Sequence, residues 1–191
     1  MVGKRQRAWF SPAEPGAAGA GEPIFMTVNE QDFRDALGRF ATGVTVVSCL
    51  EEGGDPGRER AVGFTANSFT SLSLDPPLVL WCIDKLATGY RLFTETDHFT
   101  INLLSSEQKS LAMRMANAAD NGLQADEWMP GGHGQPLIRG SIGALECARE
   151  TLFPGGDHTI IVARVLAAHG HEGEPLIYFK GQFSARQKAL G

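Results

Sequence analysis

The chain has 191 residues, 42% of them hydrophobic, with a formal net charge of −5 and no sustained Lys/Arg run. This suits one domain with a substantial core and excludes a nucleic-acid surface, which needs clustered cations against phosphate. Three cysteines, Cys49, Cys82 and Cys147, without CxxC spacing point to neither a disulfide framework nor a zinc knuckle and fit a reducing cytoplasm; no stretch has the length of a membrane span or the apolar run of a signal peptide.

Residues 1–25 contain Ser11-Pro12-Ala13-Glu14-Pro15-Gly16 and further Ala, Gly and Pro, too little apolar surface to offset ordering entropy, so a flexible arm is expected there and a folded domain over 26–191. Thr27 and Glu30 have capping-box spacing, and Phe33, Leu37 and Phe40 fall on one helical face, predicting a helix over about 28–40. From Gly43 the period changes. β-Branched runs at 43–50, 61–69, 78–83 and 98–104, separated by Gly, Asp and Pro clusters, read as strands. Helices are expected near 86–95 and at 106–117, the second with Ser105 and Gln108 as a capping pair and Leu111 and Met115 four apart. Beyond the Gly131-Gly132-His133-Gly134 loop, strands at about 141–150 and 157–166 flank Phe153-Pro154-Gly155-Gly156 as a hairpin, and a last strand covers 176–184. Many strands without βαβ alternation imply a mainly β barrel with a few short helices.

The most informative run is Gly63 to Lys85. Thr65, Asn67, Ser68, Thr70, Ser71 and Ser73 are uncharged hydrogen-bonding side chains, interleaved with Phe64, Phe69, Leu72 and Leu74 and closed by Asp75-Pro76-Pro77. Hydroxyls and amides both donate and accept, so such a run matches a ring edge of alternating carbonyls and nitrogens, as in an isoalloxazine. A Ser/Thr-rich strand on a solvated face reads the same way. No Rossmann fingerprint or P-loop is present. Phosphate therefore has to be held otherwise, and Cys82-Ile83-Asp84-Lys85 followed by Thr88-Gly89 before a helix supplies a cation, a hydroxyl and helix N–H groups; a surface Lys followed by a capping Thr is the plainer meaning. His158, after Gly155-Gly156-Asp157, is either a turn hydrogen bonder or a group aimed into a cleft. Arg39 suits either a nucleotide phosphate or the negative end of its helix, and Tyr178 either stacks near a ligand or is a half-buried strand aromatic. Cys82 reads as a small buried hydrophobe, and His169-Gly170-His171-Glu172 as a solvated loop rather than a metal site.

Five segments in order, Arg39 to Val47, Gly63 to Lys85, Phe99 to Leu104, Gly156-Asp157-His158 and Pro175 to Tyr178, resemble the flavin reductase family, the small reductase components of two-component flavin monooxygenases. The resemblance spans roughly residues 27–186. It implies an FMN-binding split β-barrel, homodimeric with flavin sites near the subunit interface, that takes hydride from NADH or NADPH onto FMN or FAD and supplies a monooxygenase partner. It also implies a flavin site of Thr65, Ala66, Asn67, Ser68, Ser71 and Asn102, with Cys82, Ile83, Asp84, Lys85 and Thr88 toward its phosphate and Arg39 and Tyr178 nearby. Ala87 stands where family members often carry a hydroxyl. His158 is then the catalytic candidate, orienting the nicotinamide or balancing charge on the reduced ring, because hydride passes directly between the cofactors and needs no protein nucleophile. Two other readings stay open: a split-barrel protein that keeps FMN as a prosthetic group, and a flavin-binding module without turnover.

Overall fold

The computed structural model describes residues 28–52, 59–117 and 121–185; the expected arm over 1–25 and the Thr27 cap lie outside them. Helix α1 (Glu30–Leu37) is capped by Asn29, whose side chain accepts from the amides of Gln31 and Asp32, so the capping residue is Asn29 and not Thr27. None of its residues is buried, and Phe33, Leu37 and Phe40 are all exposed. The helix face expected from sequence therefore has no cover within the described residues.

Strands β1 (Thr42–Gly43), β2 (Thr45–Glu52) and β3 (Glu59–Ala66) follow, then β4 (Thr70–Leu74) and β5 (Pro77–Asp84). Helix α2 (Tyr90–Glu95) leads to β6 (His98–Leu103), a 3-10 turn over Ser106–Gln108, and helix α3 (Lys109–Met115). A short hairpin, β7 (Trp128–Pro130) and β8 (Pro136–Ile138), precedes the long pair β9 (Gly143–Gly155) and β10 (His158–Gly170). A final hairpin is formed by β11 (Leu176–Phe179) and β12 (Gln182–Ala185). The main sheet is antiparallel in the order β3-β2-β6-β9-β10-β5-β4, and the smaller one is β1-β11-β12. This is the mainly β architecture expected, with three short α-helices among the described residues.

Alternation builds the core. Along β5, Val79, Trp81 and Ile83 point inward while Leu78, Leu80 and Cys82 are half-buried. Trp81 packs edge-on against Phe93 and Phe99 with ring centroids 5.8 Å apart, and Phe64 closes the aromatic group. Two register shifts between β9 and β10 bend these 13-residue strands and let the sheet curl. On the other side of β2, Val44, Val46, Ala112, Met115, Ile138 and Leu176 form a second cluster under α3. Gly63 makes that packing possible, because a Cβ there would stand 2.7 Å from the Met115 sulfur and 2.9 Å from Val46.

Several boundaries differ from the sequence reading. Residues 84–89 form turns through the Asp84 carboxylate and carbonyl, so the helix expected from 86 begins only at Tyr90. The strand expected over 176–184 is split at Lys180-Gly181, where both residues have positive φ, 49° and 76°. The β9–β10 strands run on to a two-residue Gly156-Asp157 turn, with Pro154 inside β9. Strands β4, β7 and β8 were not expected.

Candidate functional site

Sheet order brings the end of α1, β1, the bend at residues 67–70 and the β11–β12 turn around one cleft of about 1180 Å³. The Lys180 amide donates to the Gly38 carbonyl at 2.8 Å, and Thr42 pairs with Tyr178, so segments at opposite ends of the chain form its walls. Arg39, Asn67, Ser68 and Tyr178, four of the sequence candidates, line it together with Phe40 and Lys180. Asn67 is exposed, and its amide makes no hydrogen bond to any described residue. Ser68 is more constrained: its hydroxyl accepts from the Cys82 amide at 2.9 Å and donates to the Cys82 carbonyl at 3.1 Å, continuing the β4–β5 edge. Tyr178 is half-buried against Phe183, with centroids 5.1 Å apart, and still reaches the cleft.

Two residues beyond Cys82, roughly 7 Å along the strand, Asp84 pairs with His158 in the register of β5 against β10. Here a second group of candidates meets. His158 Nδ1 lies 2.7 Å from Asp157 Oδ1, the Lys85 amide donates to the Asp157 carbonyl, and the Lys85 ammonium donates to the Gly156 carbonyl at 2.5 Å. The hydrogen bond from His158, with the charges of His158 and Lys85 behind it, holds the exposed Asp157 carboxyl below the usual carboxylate range. Asp84 accepts from the Leu86 amide, and Thr88 is exposed beside the start of α2, whose N-cap is Gly89. Ser71 is an exposed residue of β4, while Ile83 is wholly buried in the core.

Three candidates face elsewhere. Asn102 is fully buried: its amide nitrogen donates to the Val46 carbonyl and to Ser48 Oγ, and its carbonyl accepts from the Ile138 amide at 2.8 Å. Every side of that amide is occupied by protein, so it pins β6 to β2 and β8. The Thr65 hydroxyl donates to the Ala112 carbonyl of α3, and Ala66 is buried with its carbonyl taken by the Thr45 hydroxyl. Cys82 carries a thiol raised by burial, partly offset by Ser68, and Cys49 and Cys147 are pushed up to about 12 by burial. None of the three is a poised thiolate at neutral pH.

Sequence reasoning missed a buried charge. Glu146 of β9, 1% exposed, accepts from the Gly132 and His133 amides, and its oxygens lie 2.8 Å from His169 Nε2 and 3.2 Å from His133 Nδ1. Burial pushes this carboxyl up, but the hydrogen bonds from His169, His133 and Gly132 outweigh it and hold Glu146 down to about 2. A Cβ on Gly131 would stand 2.6 Å from Oε2, so the glycine loop is what lets the backbone close over the carboxylate. His169 thus lies in β10 as a partner of Glu146 and not in a solvated loop. The only sequence signal was a Gly-rich loop carrying a histidine. Among the described residues no group of His, Cys, Asp and Glu is arranged to hold a metal ion, and no helix is long and apolar enough to cross a membrane.

A family model described as a flavin reductase like domain matches residues 37–186. The chain is similar to the FMN reductase (NADH) SmoA of Agrobacterium fabrum, 42% identical over 157 residues that cover 81% of this chain and 85% of that protein. It is 31% identical to HsaB of Rhodococcus jostii, a reductase subunit of a flavin-dependent monooxygenase, over 87% of this chain and 83% of the relative. Two other relatives are longer, and the chain spans 47% and 64% of them. Among solved structures, the NADH:FAD oxidoreductase SgcE6 of Streptomyces globisporus in complex with NAD and FAD fragments superposes with a TM-score of 0.73 at 36% identity, over 84% of this chain and 93% of that one.

Proposed function

The chain belongs to the flavin reductase-like family, and on that premise we propose a division of labour within its split barrel: the cleft at Asn67 and Ser68 frames a flavin ring, and His158 attends the hydride donor. The protein is an NAD(P)H-dependent flavin reductase that reduces FMN or FAD and supplies reduced flavin to a monooxygenase component. The observation that carries the site assignment is the Asn67 amide, unpartnered by any described residue and set in the wall of the cleft between α1, β1 and the β11–β12 turn.

The bound cofactors supply the hydride chemistry themselves, nicotinamide as donor and flavin as acceptor. What the chain contributes is orientation. Asn67 offers both a donor and an acceptor to a ring edge, and the Ser68 hydroxyl, fixed by two bonds to Cys82, holds that bend against β5. Asp157 directs the Nδ1 side of His158 toward itself, which leaves Nε2 to face a ligand. Lys85, Thr88 and the Asp84 turn remain our reading of a flavin phosphate position, and a phosphate there draws the Lys85 ammonium off the Gly156 carbonyl.

We also read the protein as a homodimer. Phe33 and Leu37 on α1 and Phe40 just past it, with Leu72 and Leu74 on the edge strand β4, give two exposed apolar faces that a second copy would cover. The free cysteines, two of them buried, suit a reducing cytoplasm. Steady-state oxidation of NADH and of NADPH, each with FMN, FAD and riboflavin, tests the activity; no flavin-dependent oxidation above background refutes it. Flavin that stays bound through gel filtration would favour a prosthetic role instead. Sedimentation equilibrium tests the dimer.

A further inference from the structure

A second cleft, of about 610 Å³, shares no lining residue with the first. Its walls are the start of β3 at Glu59 and Ala61, the loop at Leu123 and Ala125, strand β7 from Trp128, and the side chain of Arg139. Backbone pairing assembles them. The Gly63 amide donates to the Asn121 carbonyl and the Leu123 amide to the Ala61 carbonyl, so the loop closes the free edge of β3. The Arg139 amide donates to the Glu127 carbonyl, which returns the residue after β8 to the side of β7.

Two opposite charges stand in this wall, neither paired with the other. Arg139 is exposed; its Nε donates to the Trp128 carbonyl at 3.2 Å, its Nη1 reaches the Met129 sulfur at 3.8 Å, and no carboxylate of a described residue pairs with it. The Glu127 carboxylate close by in the chain is already spent on Arg114 and on the Gln124 amide. Glu59 is exposed as well, and its side chain makes no hydrogen bond or ion pair to a described residue, while its neighbour Arg60 is held by Glu51 at 3.5 Å. The rest of the lining is largely apolar, with Trp128 half-buried in it. A lone anion would satisfy Arg139 but be repelled by Glu59, and a lone cation would meet the reverse. A zwitterion satisfies both, and an aromatic body covers Trp128. The volume falls within the roughly 300–1,000 Å³ of small-ligand clefts, which favours a small molecule over a protein segment.

We propose that this cleft is a second ligand site, for a small zwitterion of the aromatic α-amino acid class. The ligand's carboxylate meets Arg139, its ammonium meets Glu59, and its ring lies against Trp128. The site is separate from the cleft at Asn67 and does not depend on what that cleft binds.

The test is calorimetric titration of the full chain with L-phenylalanine, with 3-phenylpropionate, which lacks the ammonium, and with phenethylamine, which lacks the carboxylate. The variants are Arg139→Gln and Glu59→Gln, both at exposed positions, with melting temperature as a control. L-Phenylalanine should bind the native chain and lose roughly three- to tenfold in affinity in each variant, the range from an exposed ion pair to a charge-assisted hydrogen bond. 3-Phenylpropionate should respond only to Arg139→Gln, and phenethylamine only to Glu59→Gln. Saturating FMN should leave L-phenylalanine binding unchanged. Absence of L-phenylalanine binding, or binding that either variant leaves at native strength, overturns the proposal. Displacement of L-phenylalanine by FMN also overturns it, because the amino acid would then occupy the first cleft. None of the three ligands is a flavin or a nicotinamide, so these titrations read the second cleft even if flavin turnover is absent, which separates failure here from failure of the functional reading.

Discussion

Asn67 and Asn102 are the same residue in two opposite situations. Asn102, fully buried, spends its amide on Val46, Ser48 and Ile138, whereas Asn67 stands in the cleft wall with its amide unspent. The histidines differ in setting too: His169 serves a buried carboxylate, and His158 stands half-exposed at a turn. Residue type thus says little about role here. What separates the two asparagines is whether the protein itself fills the side chain's hydrogen-bonding capacity.

The sharpest way to break this distinction is to cut the buried half. Asn102→Ala leaves the Val46 carbonyl and the Ile138 amide without partners in the interior, and should cost about 2–4 kcal/mol, a melting shift of roughly 5–15 °C. Thermal denaturation checks it. Glu146 gives the matching pH test. Its folded carboxyl is depressed to about 2, so the stability it contributes is present above its unfolded value near 4.5 and is lost as pH falls from there toward 2. Melting curves between pH 7 and 3 should fall steeply in the native protein, while Glu146→Gln starts lower and flattens that acid limb, by on the order of 3 kcal/mol at most. On the cleft side, His158→Ala should lower NAD(P)H-dependent turnover roughly ten- to hundredfold with flavin affinity and melting temperature nearly unchanged. A variant that melts early yet turns over normally when folded would make the imidazole a turn hydrogen bonder.

Much of the barrel was legible because its strands are apolar, β-branched-rich runs bounded by Gly, Asp and Pro, as β5 is between Pro77 and Asp84, and because Ser105 and Gln108 form the capping box that their spacing announced. Strand β4 escaped because its residues Thr70 to Leu74 are almost all exposed, so no burial pattern marks them, and β7 and β8 are too short to show a period. The candidate cleft was half legible. The polar run supplied two of its lining residues, Asn67 and Ser68, but the same run includes Thr65, whose hydroxyl turns to α3. Nothing local marked Lys180 or paired Glu146 with His133 and His169, because these meetings depend on strand order and not on neighbours in the chain.

The most direct measurement takes both asparagines through the same two assays, flavin titration and thermal melting, on Asn67→Ala and Asn102→Ala. Asn67→Ala should bind flavin up to about tenfold more weakly, the worth of one neutral hydrogen bond, and melt as the native protein does, while Asn102→Ala should melt early and, where still folded, bind flavin normally. Normal flavin affinity in Asn67→Ala, or weakened affinity in folded Asn102→Ala, would contradict the placement of the ring in this cleft.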